Sequence, residues 1–386
     1  TGSILNLEAK ILKNSQINNI NFIIKKDIFE FIIKDTRLLG LYFDFANIIV
    51  KKNKKDLHFS IASNNLDKIN NFKKFLNNLN YKNFENNNFS NFDLSTNSNI
   101  SFKLKRFTKL KDLTARGNAK IENFSINVSD LEKYKKYITI NQTINLKDNK
   151  IKYEYNDNKL RLNTSGKINL NNKFENYNSN ILFNYKDNSN NINIEIELNS
   201  LNIDLDNFNY SKKIDKKKNL NFNIFFNKKS KIIKKLKYEE SKNYILINNL
   251  NFNNQNQIYD IEDISVKTFK NNTLNNDFQI NKKNKKIFVT GKKYDANYFF
   301  KTLNKDNDLK IFSKKFNGDL TFKLKKIISQ NEPIHDFEGS GKISFGKFHQ
   351  LKAKAKFSKN EFLDISIGTI SSNKKKLYIY SDRARP

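Results

Sequence analysis

Alternation of apolar and polar residues is the feature of this sequence that most restricts its fold, and it recurs along the whole chain. Successive side chains of a β-strand point to opposite faces, so a period of two marks a strand with one dry and one solvated face. Clear examples are residues 192–198 (INIEIEL), 220–224 (LNFNI) and 320–324 (LTFKL). The pattern predicts an all-β protein.

Short runs rich in Asn, Asp and Lys separate these strands. Residues 147–150, 186–190 and 304–308 have the composition of hairpin turns. Parallel strands need a crossover of a dozen or more residues, whereas strands here recur at a spacing of roughly 8 to 14 residues. We therefore expect an antiparallel meander.

Four glycines, each followed by alternating residues, indicate that similar hairpins repeat. Gly117, Gly166, Gly318 and Gly341 are each predicted to open a strand. Their spacing is irregular, which favours a sheet that grows by adding similar hairpins over a fixed-period solenoid. Only two prolines occur, so little interrupts the predicted ladder.

Helical spacing of apolar residues is limited to short segments. Residues 65–79 carry apolar side chains at i, i+3 and i+4 positions and are predicted to form a helix. Two shorter helices are expected at residues 130–137 and 295–303, the latter with Asp295 as N-cap.

A sheet with so many one-sided strands has to hide its apolar face. A closed barrel, a two-sheet sandwich and a long sheet folded lengthwise over a ligand would each do so. The near absence of Gly-Pro linkers favours one continuous element. We predict a β-rich segment over residues 1–99, which contains the helix near 65–79, and a continuous repeating β segment over residues 100–386.

The chain is strongly basic, with 71 Lys and Arg against 39 Asp and Glu and a formal net charge of +32. Such a charge raises nucleic acid or anionic lipid as a partner. Only six of the 71 are Arg, the residue whose fork reads phosphate and base edges. The Lys also accompanies abundant Asn, Ile and Phe, as an AT-rich genome would encode, and most Phe lies on the apolar side of the alternation. Nucleic acid is therefore not the expected partner.

Residues with catalytic or metal-binding spacing are not found in the sequence. Cys is absent, and the GSGK run at 339–342 lacks both the earlier Gly and the following Ser or Thr of a phosphate-binding loop. His58, His335 and His349 are scattered, without partners at metal-ligand spacing. We expect that the chain is not an enzyme and that it has neither a cofactor nor a metal site.

Three stretches resemble the AsmA-like family of bacterial envelope proteins, of the TamB and YhdP lipid-transfer type. They are residues 113–126 (LTARGNAKIENFSI), residues 288–303, which begin FVTGKKYDA, and the tail from 339 to 386. The resemblance covers the chain from about residue 100 onward. The chain starts without Met, and we expect it to be a fragment of a longer protein.

The resemblance implies a non-enzymatic bridge that conducts phospholipids between the inner and outer membranes of the cell envelope. The sheet would curl into an open hydrophobic groove of the β-taco type, which crosses the periplasm and is anchored to the inner membrane by a part outside this chain. Outer-membrane components would be further partners. Alternation supplies a physical reason, because a lipid tail gains roughly 0.8 kcal/mol per buried CH₂ on a dry stripe. The expected groove-lining residues are Phe124, Ile126, Val128, Ile192, Ile194, Ile196, Ile203, Phe222, Ile224, Leu320, Phe322 and Ile343.

Two other interpretations remain open. A structural or adhesive β-rich envelope protein would use its apolar face as a closed core. A basic nucleic-acid-binding protein would bind single strands at physiological salt.

Overall fold

The computed structural model describes residues 2–8, 16–38, 41–68, 93–106, 109–127, 143–170, 173–201, 203–205, 208–212, 217–297, 312–329, 332–371 and 374–383. These residues form β-strands with almost no helix, and nearly all strand pairs are antiparallel. The predicted all-β class is confirmed. Backbone packing divides the chain into two compact units, of which the second comprises residues 191–386 among others.

The first unit is a meander in which each strand pairs antiparallel with the next, from β1 to β10. Because neighbours in sequence are neighbours in the sheet, its hairpin turns alternate between two edges. The strands are Gly2–Glu8 (β1), Gln16–Lys25 (β2), Ile28–Leu38 (β3), Leu41–Asn53 (β4), Asp56–Lys68 (β5), Asp93–Lys105 (β6), Lys109–Asn127 (β7), Thr143–Asn156 (β8), Lys159–Asn169 (β9) and Phe174–Asn184 (β10). Ser189–Glu197 (β11) follows at the boundary of the two units.

The second unit contains the remaining strands of the described chain. They are Ile203–Leu205 (β12), Tyr210–Lys212 (β13), Lys218–Asn227 (β14), Lys231–Glu240 (β15), Asn243–Phe252 (β16), Ile258–Asp260 (β17), Asp263–Lys270 (β18), Thr273–Lys283 (β19), Lys286–Asp295 (β20), Gly318–Ile328 (β21), Ile334–Ser344 (β22), Lys347–Ser358 (β23), Glu361–Ser371 (β24) and Lys374–Ser381 (β25). Strands β14, β15, β16, β18, β19 and β20 pair antiparallel in that order, and so do β21 to β25. Strands β12 and β13 form a separate hairpin.

One pair departs from the predicted antiparallel meander. Strands β20 and β21 run parallel. Residues 296–317 connect them, which is the length of crossover that parallel neighbours require.

The glycines occupy different positions from those predicted, with one exception. Gly318 opens β21, whereas Gly117, Gly166 and Gly341 lie inside β7, β9 and β22. A Cβ on Gly117 would lie 2.2 Å from the backbone oxygen of Asn97. These internal glycines admit close cross-strand neighbours, so their reading as strand starts was wrong.

Of the three predicted turns, one is confirmed, one is wrong and one lies outside the described residues. Residues 186–188 form the turn before β11, as expected. Residues 147–150 lie instead within β8, where Asp148 has a φ of 55° and the register with β9 shifts. A β-bulge therefore takes the place of a hairpin turn there. Residues 304–308 lie outside the described residues.

The helix predicted at 65–79 is wrong at its start, because residues 65–68 belong to β5 and pair with β6. Cross-strand pairing overrides the helical spacing at these positions. The remainder of that segment and residues 130–137 lie outside the described residues. Asp295 ends β20, and its Oδ1 accepts the backbone N–H of Asn297 at 3.1 Å, the contact made by an N-cap. The division at residue 99 and the curling of the sheet into a groove stay predictions.

Candidate functional site

An apolar face runs across the first unit from β2 to β10. Register places one side chain from each strand in a line, and every one of them is half-buried. Two of them, Phe31 and Ile48, also pack against a small buried cluster of Ile20, Ile33 and Ala46. With strands about 4.8 Å apart, this ribbon is about 38 Å long. We call it the first ribbon: Phe22, Phe31, Ile48, Ile61, Ile100, Ala115, Tyr155, Leu160 and Phe183.

The opposite face is polar and solvated on β5 to β10, whereas β2 to β4 also place Ile23, Ile32 and Ile49 there. Its most regular line is exposed at every position from β5 to β10, and Asn180 donates to the side-chain oxygen of Asn163 within it. The contrast between the two faces follows directly from alternation along each strand. This line consists of Asn64, Asn97, Asn118, Lys152, Asn163 and Asn180.

The second unit carries an equivalent apolar line, which we call the second ribbon. It crosses eleven strands, from β14 to β25, and includes a glycine on β22. Its last member, Ile379, is 55% exposed. The ribbon consists of Phe222, Leu236, Ile247, Ile264, Ile280, Val289, Phe322, Gly339, Ala353, Ile365 and Ile379.

The hairpin β12–β13 covers this face on one side of the second ribbon. The ring of Phe208 lies 6.1 Å from that of Phe278, and the ring of Tyr210 lies 6.3 Å from that of Tyr238. Phe278 is two residues from Ile280, so the cover begins one row of side chains away from the ribbon.

A second segment covers the face on the other side of the ribbon. The rings of Phe312 and Phe316 stack with their centroids 4.5 Å apart. Phe316 is 2% exposed and belongs to a cluster with Leu250, Ile261, Ile287, Leu320 and Ile343. Ile287 is two residues from Val289, so the second ribbon lies between two covered zones.

A buried polar network holds the β12–β13 hairpin in place. Lys218 and Glu240 are fully buried and lie directly across from each other in the register of β14 and β15. Lys218 Nζ donates to the carbonyl of Leu201 at 2.9 Å, while the Tyr210 and Tyr238 hydroxyls donate to Glu240. Burial, followed by the hydrogen bond with Glu240, raises the pKa of Tyr210 above its ordinary value. Burial likewise raises the pKa of Tyr238.

Amide side chains extend this network along the hairpin. Asn276, also fully buried, donates to the Phe208 carbonyl at 2.7 Å. Asn209 donates to Asp295 Oδ2 at 2.8 Å. The hairpin is therefore fixed by polar contacts at a face that is otherwise apolar.

The structure brings three of the predicted lining residues together. Leu320 and Ile343 are buried in one cluster, and Phe322 packs against it. Phe222 lies on the second ribbon, and Ile224 pairs with Ile233, which also contacts the cluster.

The other predicted lining residues are dispersed. Ile203 is buried on the covering hairpin. Phe124 is half-buried on β7 opposite Leu146. Ile192, Ile194 and Ile196 are half-buried on β11. The side chain of Ile126, and Val128 as a whole, lie outside the described residues.

None of the nine residues of the first ribbon was among the predicted lining residues, and the Phe312–Phe316 cover was not predicted either. Part of the first ribbon was detectable from the alternating run at residues 57–61 (LHFSI). The sequence around Phe312 and Phe316 has no apolar periodicity from which this cover could have been predicted.

The described ranges show neither a metal site nor a membrane-spanning helix. No group of three or more His, Asp or Glu side chains there could hold a metal ion. Among the same residues, no helix combines the length and apolar character needed to cross a bilayer. Comparisons with protein-family models, curated proteins and solved structures find no match to this chain.

Proposed function

We propose that this chain is a non-enzymatic lipid-transfer protein whose apolar sheet faces carry phospholipid acyl chains. The observation that supports this proposal is the first ribbon, an unbroken apolar line on which every side chain is half-buried. Contiguous apolar surface of this extent marks an interaction site in a protein surrounded by water. Covering it with an acyl chain is favourable by about 0.8 kcal/mol per buried CH₂.

The dimensions favour a conduit over a pocket for one lipid. One leaflet occupies half of a hydrocarbon core about 30 Å thick, so an acyl chain reaches about 15 Å. The first ribbon is about 38 Å long and has room for chains in succession. A surface that passes lipids from one position to the next requires such continuity.

The finer proposal is that the sheet curls into an open groove of the kind implied by the resemblance to the AsmA-like family. In that arrangement the chain belongs to the cell envelope and bridges the periplasm from an inner-membrane anchor outside this stretch. Phospholipids would be its cargo. The apolar ribbons and the resemblance of residues 113–126 and 288–303 support this proposal.

Native mass spectrometry with lipid extraction on the purified chain tests the cargo directly. We expect phospholipid to co-purify with the wild-type protein. Ile61→Asp places a charge on the first ribbon and should abolish lipid binding, because a carboxylate is poorly solvated beneath an acyl chain. Ser60→Asp is the matched control, since Ser60 is the exposed neighbour on the polar face of β5. Phe222→Asp tests the second ribbon in the same way.

The second candidate is a structural or adhesive β-rich envelope protein with a closed core. The observation in its favour is the Phe312–Phe316 cover, which buries part of the apolar face of the second unit within the protein itself. A folded, lipid-free wild-type protein would support this candidate and overturn the lipid-transfer proposal. Equal lipid content in the Ile61→Asp and Ser60→Asp variants would also overturn it.

A further inference from the structure

Three hairpin turns at one edge of the first unit form a surface that we call the basic rim. They join β2 to β3, β4 to β5 and β6 to β7, and every second turn of a meander lies at the same edge. The rim comprises residues 25–28, 51–56 and 103–106. The six strands that end here span about 24 Å.

Contacts between the turns make the rim continuous. The backbone N–H of Lys52 donates to the carbonyl of Asp27 at 2.8 Å. The backbone N–H of Arg106 donates to Asp56 Oδ1 at 3.1 Å. Each turn is thus tied to the next, and their charges act on the same patch of solvent.

Charge on the rim is strongly one-sided. Its three ranges contain nine Lys and Arg and only two carboxylates, Asp27 and Asp56, and Lys103 has a further partner in Asp112 at 2.7 Å. The next two turns of the same edge, residues 156–159 and 185–188, each hold one Lys and one Asp. A codon bias toward Lys would act on all five turns alike, so it does not account for the difference.

The backbone of the rim gives independent support. Lys54 and Arg106 have φ angles of 52° and 51°, in the left-handed region that favours Gly and Asn. Most other non-glycine residues with positive φ in the described chain are Asn or Asp. The rim therefore keeps cations at positions where the backbone prefers neutral or acidic residues.

Apolar side chains protrude beside these cations. Ile24 is 58% exposed and Ile28 is 40% exposed. Ile24 continues through Phe29 and Val50 to Phe59, whose ring stacks on Phe102 at 4.6 Å. This row lies next to the first ribbon, so the rim opens onto the apolar face.

We propose that the basic rim docks the first unit on an anionic phospholipid bilayer. The lysines lie at the headgroups, and Ile24 and Ile28 enter the boundary between headgroups and acyl chains, the arrangement by which basic and apolar residues together bind membrane surfaces. Only one of the nine cations is Arg, the residue whose fork reads phosphate and base edges, which disfavours nucleic acid as the partner. The inference rests on the proposed function in that the docked bilayer supplies lipid to the adjacent ribbon.

Flotation of the purified chain with vesicles tests the docking. We expect binding to phosphatidylcholine vesicles that contain phosphatidylglycerol, weak binding to phosphatidylcholine alone, and loss of binding as salt rises. Replacement of Lys52, Lys54 and Lys55 by Gln should weaken binding by about fivefold per lysine, on the order of a hundredfold for the triple variant. These residues are exposed, so the variant should fold normally.

The matched control removes the same charge elsewhere. Lys342, Lys347 and Lys352 are exposed on the second unit and do not belong to the rim. If docking depends on the rim, their replacement by Gln should leave vesicle binding within about threefold of wild type. A second variant, Ile24→Ser with Ile28→Ser, keeps the charge and should reduce binding by removing the inserted groups.

The outcomes separate this proposal from the proposed function. Equal loss of binding in the two triple variants would overturn docking at the rim, and so would wild-type binding to single-stranded RNA but not to anionic vesicles. Wild-type protein that carries co-purified lipid but does not float overturns docking and leaves lipid transfer standing. Rim-dependent flotation of a lipid-free protein supports docking and overturns lipid transfer.

Discussion

Neutralising one member of the buried Lys218–Glu240 pair should destabilise the second unit severely. Both side chains are fully buried and oppose each other across β14 and β15. In the Glu240→Gln variant, Lys218 keeps its charge without a carboxylate opposite. In the Lys218→Met variant, the Glu240 carboxylate remains, with the hydroxyls of Tyr210 and Tyr238 as donors.

Lys218 and Glu240 lie opposite each other with both side chains fully buried, and leaving one buried charge without its opposite costs about 3–5 kcal/mol, because that charge remains in a poorly polarisable interior. The double variant Lys218→Met with Glu240→Gln has no charge to desolvate, and Gln still offers an oxygen to the tyrosines. We therefore expect each single variant to lose about 3 kcal/mol of the free energy of unfolding and the double variant less than about 2 kcal/mol.

The suitable assay is a urea titration in which unfolding is monitored by hydrogen-exchange mass spectrometry. The chain has no Trp to report on unfolding by fluorescence, and peptides from β14 to β16 isolate the second unit from the first. Single variants within about 1 kcal/mol of wild type would refute the reasoning, since the pair would then lie in a well-solvated environment. A double variant as unstable as the sum of the singles would refute the coupling.

Three further predictions concern packing, alkaline pH and the exposed edge of the sheet. Gly117→Val should destabilise the first unit by about 2 kcal/mol or more in a urea titration, because its Cβ would lie 2.2 Å from a backbone oxygen, whereas Gly368→Ala, with no atom within 4 Å, should be close to neutral. Because burial raises the pKa of Tyr210 and Tyr238 in the folded state, the unfolded chain releases their protons first. The contribution of these two tyrosines to the free energy of unfolding should be flat to about pH 9 and fall by up to about 2.7 kcal/mol per pH unit above pH 10, and Tyr210→Phe should remove about half of that slope. Ile379→Lys should reduce self-association in sedimentation velocity, because β25 pairs only with β24 among the described strands and exposes apolar side chains on both faces.

Alternation predicted the all-β class, individual strands and part of the apolar side of the second unit. Residues 220–224 and 320–324 lie in β14 and β21, with their apolar members on the face that packs against Phe316 and its neighbours. Leu320 and Phe322 were grouped correctly because residues two apart share a face. Ile343 joins them because β22 pairs with β21, which a single sequence does not reveal.

Long-range features escaped prediction because nothing local encodes them. The parallel pairing of β20 and β21 depends on where residues 296–317 return to the sheet. Residues 312–317 carry no periodicity, so the contribution of Phe312 and Phe316 to the cover could not be inferred. At residues 147–150, the same Asn and Asp that favour turns also favour a bulge with one left-handed residue, and the pairing of β8 with its neighbours selected the bulge.

The biased composition explains how much Asn and Lys the chain contains, and physical chemistry explains where they lie. Thirteen of the seventeen non-glycine residues with positive φ in the described chain are Asn or Asp, so side chains that tolerate left-handed backbone take positions that glycine would otherwise fill. Other Asn residues occupy the solvated face opposite the first ribbon, where amides hydrogen-bond across strands. Lysine shows the same selectivity, since the two turns beside the basic rim carry no excess charge. Genomic bias and a role in lipid binding are therefore compatible explanations of the same lysines. Removing lysines from the rim and, in a separate variant, from the second unit distinguishes the two effects. If only the rim variant loses vesicle binding, the position of the charge matters; if both lose it equally, only the total charge matters.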